Sequence, residues 1–352
     1  METIVWRVDK SVEDLSTCPQ IKEAATWLKK NELVAFPTET VYGLGANALC
    51  DEAVEKIYRA KGRPGDNPLI IHIARKEDVK RYVAEIPEVA RRLMDAFWPG
   101  PLTIIFKKKP GVLSEKATAG LETVGIRMPD HPIALAIIEA SGLPIAAPSA
   151  NVSGKPSPTR FEHVYQDLNG KIAGIIDGGP TGVGVESTVI DCTGSVPIIF
   201  RPGGVTKEAL ERVAGPVEID PGVIGQQEKP KSPGMKYKHY APNAVMYLVQ
   251  GSPEFLQEKV VAFQDQGLRV GVLTTDERKD FYKADVLISA GSCTDLRTVA
   301  RQIFNCLRTF DKMNVDVILS ETFPAKGLGI AIMNRLVKAA GYRFLVEGDE
   351  AR

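Results

Sequence analysis

Short apolar runs alternate with amphipathic stretches along the first two-thirds of the chain. The runs at 33–36, 69–73, 102–106, 124–127, 143–147, 175–176, 188–191 and 198–201 are brief and mostly bounded by turn residues, so the pattern predicts strands. Apolar positions at helical spacing predict helices over 51–60, 77–84, 87–97, 132–141, 160–167 and 207–213. Asp51 and Thr206 offer N-cap side chains, and Gly142 and Gly215 stand where a helix would stop. Many strands follow one another with no helix between. That predicts an α/β domain with a mixed, twisted sheet over residues 1–215 rather than a strict βαβ repeat.

The pattern lapses over 216–243, where Pro and Gly recur as in a linker. Yet Met235-Lys236-Tyr237-Lys238-His239-Tyr240 places two tyrosines, a histidine and two lysines within six residues, which an inert tether does not need. The segment is read as a lid over the first domain's pocket. A second alternation follows, with strands at 245–249, 270–273, 286–289 and 315–319 and helices at 253–264, 296–310 and 330–340. It predicts a small Rossmann-like α/β/α domain over 244–352.

Composition narrows the possible functions. Lys plus Arg and Asp plus Glu are 44 each in 352 residues, and this neutrality counts against a surface built to grip RNA directly. No run of eighteen apolar residues occurs, and residues 1–13 carry no apolar core of a secretion signal, so a cytoplasmic protein off the membrane is expected. Cys18, Cys50, Cys192, Cys293 and Cys306 form no CxxC pair, which argues for a reducing compartment. The four histidines lack metal-ligand spacing, so no protein metal site is expected.

Candidate chemistry sits in loops at strand ends, where α/β sheets bind ligands. Pro37-Thr38-Glu39-Thr40-Val41-Tyr42-Gly43-Leu44-Gly45 offers hydroxyls and a carboxylate, or an ordinary turn. Lys61-Gly62-Arg63-Pro64 suits a polyphosphate, or is a solvated basic loop. His72 on a strand is more often a satisfied core residue than a ligand. Arg127, in an apolar strand, needs an anion: either a ligand carboxylate or an internal acid. Ala147-Pro148-Ser149-Ala150-Asn151 and the stretch through Ser157 suit a close approach to phosphates, or Ser157 simply caps a helix. Gly184-Val185-Glu186-Ser187-Thr188 and Arg201-Pro202-Gly203-Gly204 fit a phosphate or ribose contact. No GxxxxGK[ST] loop, strand–GxGxxG–helix unit or GxSxG elbow is present.

These motifs, with Asn67-Pro68-Leu69, Trp98-Pro99-Gly100-Pro101-Leu102-Thr103, Arg127-Met128-Pro129, the Pro233–Pro242 segment and Ile332-Met333-Asn334-Arg335, run in order through nearly the whole chain. Together they resemble the two-domain threonylcarbamoyl-AMP synthases, which have an N-terminal YrdC-type domain. The resemblance implies a nucleotidyltransferase that makes threonylcarbamoyl-AMP and pyrophosphate from L-threonine, bicarbonate and ATP with Mg²⁺. A downstream threonylcarbamoyl transferase would then modify an adenosine of tRNA next to the anticodon. It implies threonine binding by Thr40, His72, Arg127, Ala147 and Ser187. ATP binding would fall to Lys61, Arg63, Asn67, Thr123, Ser149, Asn151, Ser157, Arg201 and Tyr240, with Lys61 and Arg63 also catalytic. Two alternatives stand beside it. One is an RNA-binding YrdC-type module without adenylate synthesis, against which the neutral charge and missing aromatic platform count. The other is a carbamoyl-transferring hydrogenase maturation factor, whose acylphosphatase domain and paired CxxC fingers are absent from this sequence.

Overall fold

The computed structural model describes residues 2–9, 11–12, 14–224 and 239–349. The chain divides into two compact units: Met1–Ser153 with Ser157–Lys236, and Gly154–Pro156 with Tyr237–Arg352.

Among the described residues, the first unit holds an 11-stranded sheet. Its strands are β1 Ile4–Arg7, β2 Val34–Phe36, β3 Gly43–Asn47, β4 Ile71–His72, β5 Leu102–Lys107, β6 Thr123–Arg127, β7 Ile145–Ala146, β8 Gly174–Asp177, β9 Thr188–Asp191, β10 Ile198–Arg201 and β11 Glu218–Ile219. They lie in the order β1-β8-β2-β3-β7-β4-β6-β5-β9-β10-β11, with parallel and antiparallel pairs mixed. The helices are α1 Pro19–Lys29, α2 Asp51–Lys61, α3 Glu88–Phe97, α4 Pro132–Ser141, α5 Phe161–Leu168, α6 Lys207–Ala214 and the short α7 Pro221–Ile224.

Successive strand residues point to opposite faces, so β2, β7 and β8 each feed two cores. Ala35, Ala146 and Ile175 join one core with α2, α3, α5 and α6. Their neighbours Val34, Phe36, Ile145 and Ile176 join the other, with α1 and α4. Burial on both faces explains why these strands read as apolar runs rather than alternating ones. The stripe Ala53, Val54, Ile57, Tyr58 turns α2 inward, and Lys61 continues it, so that cation is also buried.

The second unit holds a five-stranded, wholly parallel sheet among the described residues. Its strands are β12 Val245–Gln250, β13 Val270–Thr274, β14 Val286–Ser289, β15 Val317–Glu321 and β16 Phe344–Val346, in the order β14-β13-β15-β12-β16. Parallel neighbours need crossovers. Helices α8 Pro253–Gln264, α9 Leu296–Met313 and α10 Leu328–Ala339 lie in three of the four connections, and the stretch 275–285 between β13 and β14 carries no helix. Val249, Val270, Val272, Val317 and Leu319 pack with Leu256 and Val260 of α8.

Candidate active site

Arg127 ends β6 and His72 ends β4, and the parallel register sets them side by side. Arg127 is 4% exposed. Its Nη1 donates to Thr40 Oγ1 at 3.0 Å and its Nε to the Gly100 carbonyl at 3.3 Å. Nη2 lies 2.6 Å from Glu39 Oε1 but without hydrogen-bond alignment, so this contact is an ion pair. The anion that the sequence required of Arg127 is therefore Glu39. His72 donates from Nδ1 to the Ile70 carbonyl, 3.2 Å away. Burial, and then the nearby Arg127 charge, push its pKa down to about 3, so the ring is neutral at ordinary pH.

Three candidate loops interlock around this corner. Leu44 N donates to the Pro148 carbonyl and Ala150 N to the Tyr42 carbonyl, which joins the 37–45 loop to the 147–151 loop. Val183 N and Gly182 N donate to the Glu39 carbonyl, and Gly184 N to the Thr40 carbonyl, which docks the 182–188 loop on the other side. Ala147 is buried, its N–H held by the Ile70 carbonyl. Lys61 reaches up from the end of α2 and donates to the carbonyls of Ser149 and Asn151 at 2.5 and 2.6 Å. Asn151 is buried and donates to the Val152 carbonyl. The loop that carries Ser149 and Asn151 is thus tied to the helix that carries Lys61.

Ser187 forms a second node. Its hydroxyl shares a 2.8 Å hydrogen bond with Thr103 of β5, and Arg201 of β10 donates to its carbonyl and hydroxyl at 3.0–3.1 Å. Gly203 follows so closely that a Cβ there would meet Glu186 O, Ser187 C and Thr188 N at 2.3–2.4 Å. Ser157 donates to the buried Glu186 carboxylate at 2.6 Å, a contact that explains the residue better than a helix cap does.

Thr123 opens the strand that Arg127 ends. Four residues of extended chain separate them by about 13 Å. Asn67 and Arg63 precede β4 on the corresponding side, where Arg63 donates to the carbonyls of Asn67 and Pro68. The structure therefore brings Thr40, His72, Arg127 and Ala147 together, joins Thr103, Ser187 and Arg201 at one node, and sets Arg63, Asn67 and Thr123 apart. Tyr240 belongs to the second unit, where its ring lies 5.1 Å from that of Phe304 and under the Arg335 guanidinium. Lys236, Tyr237 and Lys238, the core of the expected lid, lie outside the described residues. The sequence-derived site omitted Glu39, Thr103 and Glu186. All three stand inside motifs singled out in the sequence, Glu39 as the single carboxylate of a loop of hydroxyls, but the roles of Thr103 and Glu186 show only in their tertiary partners. The small cavity lined by Ile73, Arg75, Asp78, Tyr82, Ile138 and Leu143 includes none of the candidate residues.

The family profile described as telomere recombination matches residues 26–203, and that described as threonylcarbamoyl-AMP synthase, C-terminal domain, matches 205–341. A Bacillus subtilis threonylcarbamoyl-AMP synthase is 57% identical over 345 residues, covering 98% of this chain and 100% of the relative. The chain belongs to the threonylcarbamoyl-AMP synthase family. Another member, from Pyrococcus abyssi, is 49% identical over 348 residues, 97% of this chain and 99% of its own length. The crystal structure of Pyrococcus abyssi Sua5 complexed with L-threonine superposes with a TM-score of 0.90 at 48% identity, covering 98% of this chain and 99% of that one. The synthase family thus accounts for both units, and the mixed sheet followed by a parallel α/β domain is the expected fold.

Proposed function

We propose that this chain is an L-threonylcarbamoyladenylate synthase. It joins L-threonine, bicarbonate and ATP into threonylcarbamoyl-AMP, releasing pyrophosphate and water, for modification of the adenosine next to the tRNA anticodon. The observation that carries the reading is the buried corner at the ends of β4 and β6. There the Arg127 guanidinium sits with the Thr40 hydroxyl and a neutral His72, a set that matches the carboxylate and hydroxyl of threonine. The relatives' name and the threonine complex of the archaeal protein support it.

In this reading, Arg127 takes the threonine carboxylate by its fork, and Thr40, His72 and Ser187 hold the hydroxyl end. ATP extends towards Thr123, Asn67 and Arg63, at a distance from Arg127 that suits a long adenylate. Because Ser157 donates its proton to Glu186, its oxygen meets a ligand as an acceptor, which suits a ribose hydroxyl or an amino group better than a phosphate. The threonine carbamate attacks the α-phosphate, and pyrophosphate departs. Such a displacement depends on positioning and charge neutralisation, which Lys61 and Arg63 supply, and needs no protein nucleophile. ATP is taken as its Mg²⁺ complex. An ion held by phosphates and water needs no cage of side chains. No described helix is long and apolar enough to cross a membrane, and we place the reaction in the cytoplasm.

The test is incubation with ATP, labelled bicarbonate and each amino acid in turn, followed by mass analysis of the adenylates. Threonine should give a bicarbonate-dependent adenylate. Equal yield from alanine would refute the hydroxyl assignment, since a site built to bond a hydroxyl rejects ligands that lack one.

A further inference from the structure

Glu39 has no role in the reading above, and its setting is not that of a structural ion pair. Both carboxylate oxygens are covered, yet neither accepts a hydrogen bond among the described residues, and the contact with Arg127 is an unaligned 2.6 Å approach. Its main chain, by contrast, is clamped: the Glu39 carbonyl accepts from Val183 N at 2.7 Å and from Gly182 N at 3.1 Å. A buried ion pair recovers its desolvation only when the remaining lone pairs are also satisfied. A fixed backbone that holds an unsatisfied carboxylate beside an anion-binding arginine describes half of a ligand site.

Charge balance indicates the ligand group. Arg127 and Glu39 sum to zero, as do the carboxylate and ammonium of a free amino acid. A ligand carboxylate that takes the Arg127 fork displaces Glu39 and leaves its charge buried unless a cation arrives in the same step. We propose that Glu39 receives the ammonium group of the amino acid substrate and takes the proton this nitrogen must lose before it can react with bicarbonate. The proposal rests on the threonine reading of the site. The ammonium gives one proton to the Glu39 carboxylate. The freed lone pair forms the nitrogen–carbon bond to bicarbonate, and a second nitrogen proton leaves with the bicarbonate hydroxyl as water. The resulting carbamate carries two negative charges. Facing an ionised Glu39 it would be repelled, whereas a protonated Glu39 donates a hydrogen bond to it. The proton transfer that activates the nitrogen therefore also removes the charge that would expel the product of that step.

The test compares binding of L-threonine and of 2,3-dihydroxybutanoate, in which a hydroxyl replaces the ammonium, to the full-length wild-type protein and to Glu39→Gln. The wild type should prefer threonine by about tenfold or more. Glu39→Gln should lose most of that preference, keep its ATP affinity and melting temperature, and make adenylate roughly a hundredfold more slowly. Glu39→Asp should restore part of both. A purely structural Glu39 would weaken the two acids equally. Equal affinities in the wild type, or an unchanged preference in Glu39→Gln, would overturn the proposal, and the wild-type ratio decides alone if the variant does not fold. If the wild type forms no bicarbonate-dependent adenylate from threonine, the function itself is wrong. If it does and Glu39→Gln matches it in rate and preference, only this inference falls.

Discussion

Removing the Arg127 guanidinium takes away a buried charge-assisted fork and leaves Glu39 without its counter-ion. Arg127→Ala should therefore weaken threonine binding by about 1.5–3 kcal/mol, with a much smaller effect on ATP. Calorimetry with each ligand separates the two, and equal losses would make Arg127 structural. His72 carries a pH signature. Its folded pKa of about 3 lies below the ordinary 6.5, so the folded state resists a proton that the unfolded chain accepts. The stability it contributes is complete above pH 6.5 and declines as the pH falls towards 3. The stability gap between wild type and His72→Gln, measured by urea melts, should thus narrow as the pH is lowered from 7 to 4. A constant gap would mean that His72 keeps its ordinary pKa in the fold, and a widening gap that it is charged there.

At the level of elements, Gly203 makes a demanding contact with three backbone atoms. A side chain there would strike the backbone of Glu186–Thr188, which cannot move aside as a flexible side chain would. Gly203→Ala should cost about 1–3 kcal/mol of stability. It should also weaken both substrates, because the displaced strand start carries Ser187 and anchors Arg201. A thermal melt and the two affinities check this, and an unchanged melt would contradict the packing described. Most elements were legible from periodicity: α4, α8, β9, β10 and β14 appear at their expected bounds, and Thr206 caps α6 by accepting from Ala209 N. The failures have physical causes. β3 reads as a turn because Gly43 and Gly45 are turn residues, yet a Cβ on Gly45 would meet Phe36 and Ile145 at 2.7 and 2.9 Å, so this glycine serves close strand packing. The helix expected over 77–84 is a 3₁₀ helix, Lys76–Arg81, because Val83 and Ala84 leave it to pair with Lys108 and Lys107. Asp51 is not the N-cap of α2; Cys50 occupies that position, and the Asp51 carboxylate accepts from Ser114. In the site, the loops were legible as motifs, but the pairing of Arg127 with Glu39 was not. It joins residues 88 positions apart, and sequence pattern alone left both possible anions open.

At the scale of the whole molecule, Tyr240 separates two roles. Its ring packs within the second unit against Phe304 and Arg335, so Tyr240→Ala should destabilise that unit whatever else it does. Tyr240→Phe keeps the ring. It should leave the melting temperature unchanged and weaken ATP if the hydroxyl meets the nucleotide, as the family resemblance implies. Unchanged ATP affinity in Tyr240→Phe would strike the hydroxyl from the site. The order of strands has a further consequence, which concerns synthesis on the ribosome. Among the described residues, β1 pairs only with β8, Ile4 opposite Gly174 and Arg7 opposite Asp177. β1 must therefore wait for some 170 more residues, roughly 10–30 s at ordinary elongation rates. Meanwhile its open edge is a template for other chains. Stalled nascent chains that end before β8 should remain open to protease at residues 4–7, and chains released beyond it should be protected there. Among the described strands of this sheet, β1 would then wait longest for its first partner and spend the longest time open to other chains.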